Sequence, residues 1–175
     1  MQQTPKVVIL GCSDSRVPHE IIFDQGLGDI FAIRVAGHVF GGPVCGSVEY
    51  AVNVLKVKLV VVLGHEGCGA VRSAMSSNGQ SHGDMPELDE LLLEVKKALD
   101  KNRAIHFIND KRARDREAVV TNVLAQMRRI HDCQAVSQRV LQGQLLVVGA
   151  FYEISSGMVS STHSMCRTLS RSPRF

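Results

Sequence analysis

Four short runs of apolar, mostly β-branched residues recur along the chain and predict the strands of one sheet. These runs are Lys6–Leu10, Ile30–Arg34, Val57–Leu63 and Leu145–Gly149. Apolar residues follow one another within each run instead of alternating with polar ones, which is typical of strands covered on both faces. The pattern therefore predicts an α/β fold whose four-stranded sheet is mostly parallel and flanked by helices.

Helical periodicity fills the stretches between the predicted strands. Apolar residues that recur every three to four positions, or cluster between two strands, predict helices at Val48–Leu55, Pro86–Lys101 and Arg114–Ile130. Ser76–Gly83 is rich in serine, glycine and asparagine and predicts a loop. Apolar periodicity fades from Ser160 onward, so we expect one domain over residues 1–160 and a C-terminal tail over residues 161–175.

Composition narrows the class of protein. The chain has 175 residues, which fits one domain, and its 45% apolar and 21% charged residues indicate a globular protein. A formal charge of +3 is too small to favour nucleic-acid binding, and no apolar run is long enough to span a membrane. The N-terminus lacks the apolar region of a signal peptide. Five cysteines without an export signal predict a reducing compartment, the cytoplasm.

Metal-ligating residue types follow two of the predicted strands. Cys12 and Asp14 come directly after the first strand, and His65 and Cys68 come directly after the Val57–Leu63 strand. In a doubly wound sheet, side chains at the carboxyl ends of neighbouring strands converge. Two thiolates with an imidazole favour zinc over magnesium or calcium. The sequence therefore predicts a Zn²⁺ site made from both clusters.

Arg16 lies two residues after Asp14, within reach of its carboxylate. With Asp14 on the metal, two thiolates, one carboxylate and Zn²⁺ sum to a charge of −1, and the site is closed. If Arg16 holds Asp14 away, the sum is zero and the fourth position is open to water, whose pKa zinc can lower to about 7. A simple structural salt bridge is the alternative role for Arg16.

Together these residues resemble a known family. Cys12-Ser-Asp-Ser-Arg16 with Gly64-His-Glu-Gly-Cys-Gly69 resembles the β-class carbonic anhydrases, and the similarity extends from Gln3 to about Val159. The resemblance implies an α/β sheet with an additional edge strand, and obligate homodimers or homotetramers. It also implies that carbon dioxide is reversibly hydrated to bicarbonate and a proton by attack of zinc-bound hydroxide.

The resemblance also implies roles for individual residues. Cys12, His65 and Cys68 match the family's permanent zinc ligands, and Asp14 and Arg16 match its catalytic dyad, in which the aspartate orients the hydroxide or closes the site. Gln3, Phe31 and Tyr50 match substrate-binding residues of the plant-like subgroup, partly contributed by the neighbouring subunit. An apolar slot suits carbon dioxide, and an amide can hold bicarbonate.

Some features depart from the family pattern. The chain starts close to its first predicted strand, without the family's N-terminal helical arm. His38 stands where the family often has asparagine, and either a proton shuttle or a surface histidine is expected there. Cys45, Cys133 and Cys166 match no motif and are assigned no function.

Three alternatives to carbon dioxide hydration stay open from sequence. The first is a non-catalytic zinc-binding or sensing protein of the same fold, with Asp14 closing the site. The second is a thiol redox protein that uses Cys12 and Cys68, although redox sites usually carry their thiols closer together in the chain. The third is hydrolysis of a related heterocumulene such as carbon disulfide by the same residues.

Overall fold

The computed structural model describes residues 3–77 and 83–165. Within these residues the sheet has five strands in the order β2-β1-β3-β4-β5. The first four run parallel, and β5 pairs antiparallel with β4 at the edge. The strands are β1 (Val7–Gly11), β2 (Ile30–Arg34), β3 (Leu59–His65), β4 (Leu146–Glu153) and β5 (Met158–Met165). The predicted α/β architecture with an extra edge strand is confirmed.

Helices cover both faces of the sheet and enclose its apolar strands. Alternate residues of β1, such as Leu10 and Ile9, belong to clusters on opposite faces. The larger cluster joins β1 and β3 to α2 and α5, which explains why the strands are apolar throughout. The helices are α1 (His19–Ile22), α2 (Gly42–Glu49), α3 (Gly69–Ser76), α4 (Pro86–Leu99), α5 (Lys111–Asp132) and α6 (Gln134–Leu141).

Local chemistry explains where the helices begin. α2 begins at Gly42, with Pro43 in its first turn, and continues into a π-helical turn at Tyr50–Val54, so it starts six residues before the predicted Val48. The side chain of Asp110 accepts a hydrogen bond from the backbone N–H of Ala113 at 2.7 Å and caps α5. No helix in the described ranges combines the length and the apolar character needed to cross a bilayer.

The third strand extends two residues further than its apolar run, through Gly64 and His65. A Cβ at Gly64 would lie 2.5 Å from Cγ1 of Val119 and 2.7 Å from Cγ2 of Val123, both on α5. Glycine at this position therefore permits close approach of the helix to the strand. The close packing sets the position of His65, the last residue of β3.

The predicted boundary of the C-terminal tail at residue 161 is wrong. Ser161 pairs with Ala150 and Met165 with Val147, so residues 161–165 belong to β5. An antiparallel edge strand has no need to be apolar on both faces, and this one is rich in serine and threonine, which hides it from an apolar pattern. Residues 166–175 of the predicted tail, and residues 78–82 of the predicted Ser76–Gly83 loop, lie outside the described residues. Ser76 itself ends α3.

Candidate metal centre

Two adjacent parallel strands bring three candidate ligands together at their carboxyl ends. Cys12 follows β1, His65 ends β3, and Cys68 precedes the first residue of α3. Their ligand atoms all lie within 4.8 Å of one another, and the two Sγ atoms are 3.9 Å apart. Each residue is at most 5% exposed. The sequence separation of 56 residues between the cysteines is thus closed by the pairing of β1 with β3.

Neighbouring groups hold the two loops that carry these ligands. The guanidinium of Arg34 donates from Nε to the carbonyl of Cys12 at 3.1 Å and from Nη2 to the carbonyl of Asp14 at 2.6 Å. Glu66 accepts from Arg112 Nη2 at 2.7 Å and from the backbone N–H of Ser155 at 2.9 Å. Both Arg34 and Glu66 position the site, and the sequence analysis missed them. The sequence feature that could have identified them is a charged residue at the carboxyl end of an apolar strand: Arg34 ends β2, and Glu66 directly follows β3.

The two cysteines shift each other's pKa values in opposite directions. The hydrogen bond from the Cys68 thiol is the main cause that lowers the pKa of Cys12 far below that of a free thiol. The same hydrogen bond, together with burial, raises the pKa of Cys68. The pair therefore gives up one proton readily and holds the other firmly, and a cation at the site would favour loss of both.

His65 presents an unpaired nitrogen to this pair. Its Nδ1 lies 2.9 Å from the backbone carbonyl of Glu66, which can only accept, so Nδ1 donates and the neutral tautomer carries its lone pair on Nε2. Nε2 is buried and has no hydrogen-bond partner. A buried lone pair beside two thiols is costly unless something binds it, so the residues fit a thiophilic divalent cation such as Zn²⁺.

Asp14 and Arg16 form a two-point pair beside this cluster. Arg16 donates from Nε to Oδ1 of Asp14 at 2.9 Å and from Nη2 to Oδ2 at 2.7 Å. Its Nη2 also reaches the carbonyl of Gly67 at 3.4 Å. Oδ2 of Asp14 lies 3.9 Å from Nε2 of His65. The hydrogen bond from Arg16 is the main cause that holds the pKa of Asp14 far below its usual value.

Within a single chain, the remaining predicted site residues do not lie at the cysteine–histidine cluster. Gln3 is exposed and precedes β1, whereas Cys12 follows the opposite end of that strand. Phe31 pairs with Val8 in the early part of β2, and its ring centroid is 6.2 Å from that of Tyr50. Tyr50 is 46% exposed. Phe31 and Tyr50 therefore form a separate aromatic pair.

His38 is fully buried, so the expectation of a surface histidine is wrong. Its Nε2 lies 2.9 Å from Nδ2 of Asn122, whose Oδ1 accepts from Gln126, and Gln126 in turn accepts from the backbone N–H of Phe40. A buried imidazole with a polar partner from α5 is a structural group. The polar chain explains why Asn122 and Gln126 interrupt the apolar face of that helix.

Comparisons with known proteins identify the family. A family model described as carbonic anhydrase matches residues 7–159. Carbonic anhydrase 2 of Mycobacterium tuberculosis is 40% identical over 159 residues, covering 89% of this chain and 73% of that protein. The carbonic anhydrase of Mycolicibacterium smegmatis is 39% identical over 161 residues, covering 90% and 74%.

Solved structures give the same result. One of two tetrameric β-carbonic anhydrases from Sordaria macrospora superposes with a TM-score of 0.86 at 28% identity, covering 94% of this chain and 84% of that chain. The Coccomyxa β-carbonic anhydrase in complex with acetazolamide gives 0.85 at 27% identity, covering 94% and 75%. The chain therefore belongs to the β-class carbonic anhydrases, the zinc-enzyme family that catalyses the reversible hydration of carbon dioxide.

Proposed function

We propose that Cys12, His65 and Cys68 hold the Zn²⁺ of this carbonic anhydrase and that Asp14, fixed by Arg16, directs the attack on carbon dioxide. The observation that carries the proposal is a buried cluster whose ligand atoms lie within 4.8 Å of one another and in which Nε2 of His65 has no hydrogen-bond partner. Zn²⁺ bound there would supply a Lewis acid that lowers the pKa of water to about 7.

In this proposal the Asp14 carboxylate orients the attacking water and does not serve as a fourth zinc ligand. Arg16 occupies both of its oxygens, so the carboxylate stays ionised and can only accept hydrogen bonds. It accepts the hydrogen of the attacking water and aligns the water's lone pair with the carbon of carbon dioxide. Bicarbonate and one proton result, and the proton passes to buffer.

A second copy of the chain completes the substrate pocket in this proposal. Gln3 lies at the far end of β1 from Cys12, and Tyr50 is half exposed beside Phe31, so these residues can serve a neighbouring site rather than their own. The related Sordaria macrospora enzymes are tetrameric. We place the chain in the plant-like subgroup and expect a homodimer or homotetramer, with the Gln3 amide holding bicarbonate beside the apolar rings.

The proposed location is the cytoplasm. Cys12, Cys45, Cys68 and Cys133, the cysteines within the described ranges, are all free thiols. Free thiols within 4 Å of one another persist in a reducing compartment. Neither a nucleic acid nor a membrane is expected as a partner.

The closed-site alternative, a non-catalytic zinc or sensing protein, requires Asp14 to leave Arg16. The carboxylate would exchange two charge-assisted hydrogen bonds, at 2.9 and 2.7 Å, for a metal bond. The two-point pairing therefore favours the open site. The redox alternative requires Cys12 and Cys68 to form a disulfide in place of a metal site, and hydrolysis of a heterocumulene would use the same residues as hydration.

Stopped-flow carbon dioxide hydration by zinc-loaded protein at pH 7 and pH 8.5 tests this proposal. We expect turnover in the wild type and none above buffer in Cys68→Ala, with matched protein concentration and circular dichroism. Stoichiometric zinc without turnover at either pH would favour the closed-site alternative. Metal-free protein with a Cys12–Cys68 disulfide would favour the redox alternative.

A further inference from the structure

A second cluster of thiols and a carboxylate lies outside the site described above. Cys45 is on α2, and Cys133 lies between α5 and α6, 88 residues away in sequence. Glu49 follows Cys45 by one helical turn and so presents its carboxylate on the same face of α2. The ligand atoms of all three residues lie within 4.8 Å of one another, and the residues are partly buried.

The spacing of the two sulfur atoms matches the edge of a tetrahedral metal site. Their Sγ atoms are 3.8 Å apart, close to the 3.9 Å between Cys12 and Cys68. Two thiolates at about 2.3 Å from one tetrahedral zinc are about 3.8 Å apart. A disulfide requires about 2.05 Å, so the two sulfur atoms at 3.8 Å are not bonded to each other.

Glu49 supplies a third ligand. Cys133 donates its thiol hydrogen to Oε1 of Glu49 at 3.1 Å. A bound cation would replace that hydrogen and be shared between the same two atoms.

The surroundings leave room for a fourth ligand. The cluster opens into a surface groove of about 540 Å³ that is also lined by Arg129 and Asp132. Asp132 also lines the groove but is not among the three residues whose ligand atoms lie within 4.8 Å of one another, so solvent is the available fourth ligand. The guanidinium of Arg129 on the groove wall is paired with Glu94 at 2.7 Å. Two thiolates and one carboxylate select a thiophilic cation and discriminate against magnesium and calcium.

We propose that Cys45, Glu49 and Cys133 form a second Zn²⁺ site, distinct from the Cys12–His65–Cys68 centre. Its role is structural, because it ties α2, which follows β2, to the junction of α5 and α6. Solvent from the groove completes the coordination. The site needs no partner chain, since its three ligands come from one chain.

Zinc content per chain tests the proposal. The full chain, purified under a reductant that does not bind metal, should carry two zinc ions per chain by elemental analysis. Cys45→Ser/Cys133→Ser should carry one, and Glu49→Gln should lose the second ion more readily during gel filtration. Glu90→Gln, which changes an exposed glutamate on α4, is the matched control and should keep two. Retained carbon dioxide hydration shows that each variant is folded.

Cobalt provides an independent reading of the ligands. The variant Cys12→Ser/Cys68→Ala lacks the thiolates of the first site. Co²⁺ added to it should still give a thiolate charge-transfer band, because Cys45 and Cys133 remain. Further substitution of Cys45 and Cys133 by serine should abolish that band. One zinc per chain in both the wild type and Cys45→Ser/Cys133→Ser would overturn the proposal. So would a Cys45–Cys133 disulfide in place of the second zinc, seen as two fewer titratable thiols.

Discussion

Arg16 holds both carboxylate oxygens of Asp14, with Nε 2.9 Å from Oδ1 and Nη2 2.7 Å from Oδ2. The same Nη2 lies 3.4 Å from the carbonyl of Gly67, in the loop between two candidate zinc ligands. A residue of the first loop is thereby fixed against the second. The guanidinium of Arg16, together with its backbone N–H at 3.0 Å from Oδ1, sets the direction of the Asp14 carboxylate.

Replacement of Arg16 should therefore lower kcat for carbon dioxide hydration without removing the metal. We expect Arg16→Gln to lose roughly 10²-fold in kcat, the lower end of what a positioned acid–base group contributes. Arg16→Lys should restore little, because an ammonium cannot bind both oxygens in the same fork. Stopped-flow assays at equal zinc content measure both variants.

Arg72 offers a matched control for Arg16. It pairs with Asp115 at 3.1 Å, and its side chain is 53% exposed, compared with 55% for Arg16. Arg72→Gln should leave kcat close to that of the wild type. Equal losses in Arg16→Gln and Arg72→Gln would mean that general charge, and not the hold on Asp14, sets the rate.

Zinc removal should destabilise the chain, because the folded state alone brings Cys12, His65 and Cys68 together. Zinc at a thousandfold excess over Kd adds about 4 kcal/mol to the free energy of unfolding, which corresponds to roughly 10 °C in Tm. Thermal unfolding of Cys45→Ser/Cys133→Ser with and without zinc isolates this site. The same background carrying Cys68→Ala should show much less stabilisation by zinc.

A single methyl group at Gly64 should weaken the fold at the base of the site. The added Cβ would lie 2.5 and 2.7 Å from the side chains of Val119 and Val123 on α5. We expect Gly64→Ala to cost about 1–3 kcal/mol in the free energy of unfolding, as overpacked cores do. Gly46→Ala is the control, because a Cβ at this position on α2 would meet no atom within 4 Å beyond its chain neighbours and its own helix backbone. It should be neutral or stabilise by up to about 1 kcal/mol, and a loss at Gly46 equal to that at Gly64 would refute the steric cause.

Buried His38 should make stability depend on pH. Burial is the main cause that lowers its pKa from 6.5 to about 4. Between these values the unfolded chain binds a proton that the folded chain does not, so stability is full above pH 6.5 and is lost as the pH falls toward 4. The loss amounts to about 3 kcal/mol.

Denaturant unfolding of the wild type and His38→Asn between pH 4.5 and pH 7.5 measures this contribution. Zinc release from the site that contains His65, and the buried His19, affect both proteins, so the difference in slope isolates His38. The variant should lose less stability on acidification. Parallel curves would show that His38 does not titrate as its burial requires.

The candidate zinc ligands were predictable from sequence because two apolar parallel strands fix where their carboxyl ends lie. Cys12 follows the end of β1 and His65 ends β3, so recognising the two apolar runs as neighbouring parallel strands was enough to place these residues together. The bounds of strand β2, Ile30–Arg34, were also predicted correctly, although this strand lies at the sheet edge and only its Ile33 is buried. Local apolarity carries this information when a strand is buried on both faces.

Features that depend on distant packing were not predictable. The Cys45–Cys133 contact joins residues 88 positions apart on helical segments whose relative placement no local pattern encodes. His38 is buried because Asn122 on α5 supplies a hydrogen-bond partner 84 residues away. The polar edge strand β5 pairs through its backbone, which leaves no trace in hydropathy.

The central claim, that Asp14 acts as an acceptor held beside an open zinc site, is tested most directly by kcat for carbon dioxide hydration in Asp14→Asn. The amide keeps the shape but has half the acceptor capacity and no charge. Asp115→Asn, which alters the carboxylate paired with Arg72, is the control. At equal zinc content the account predicts a loss of roughly 10²-fold or more in Asp14→Asn, and little change in Asp115→Asn. Wild-type kcat in Asp14→Asn would contradict the account.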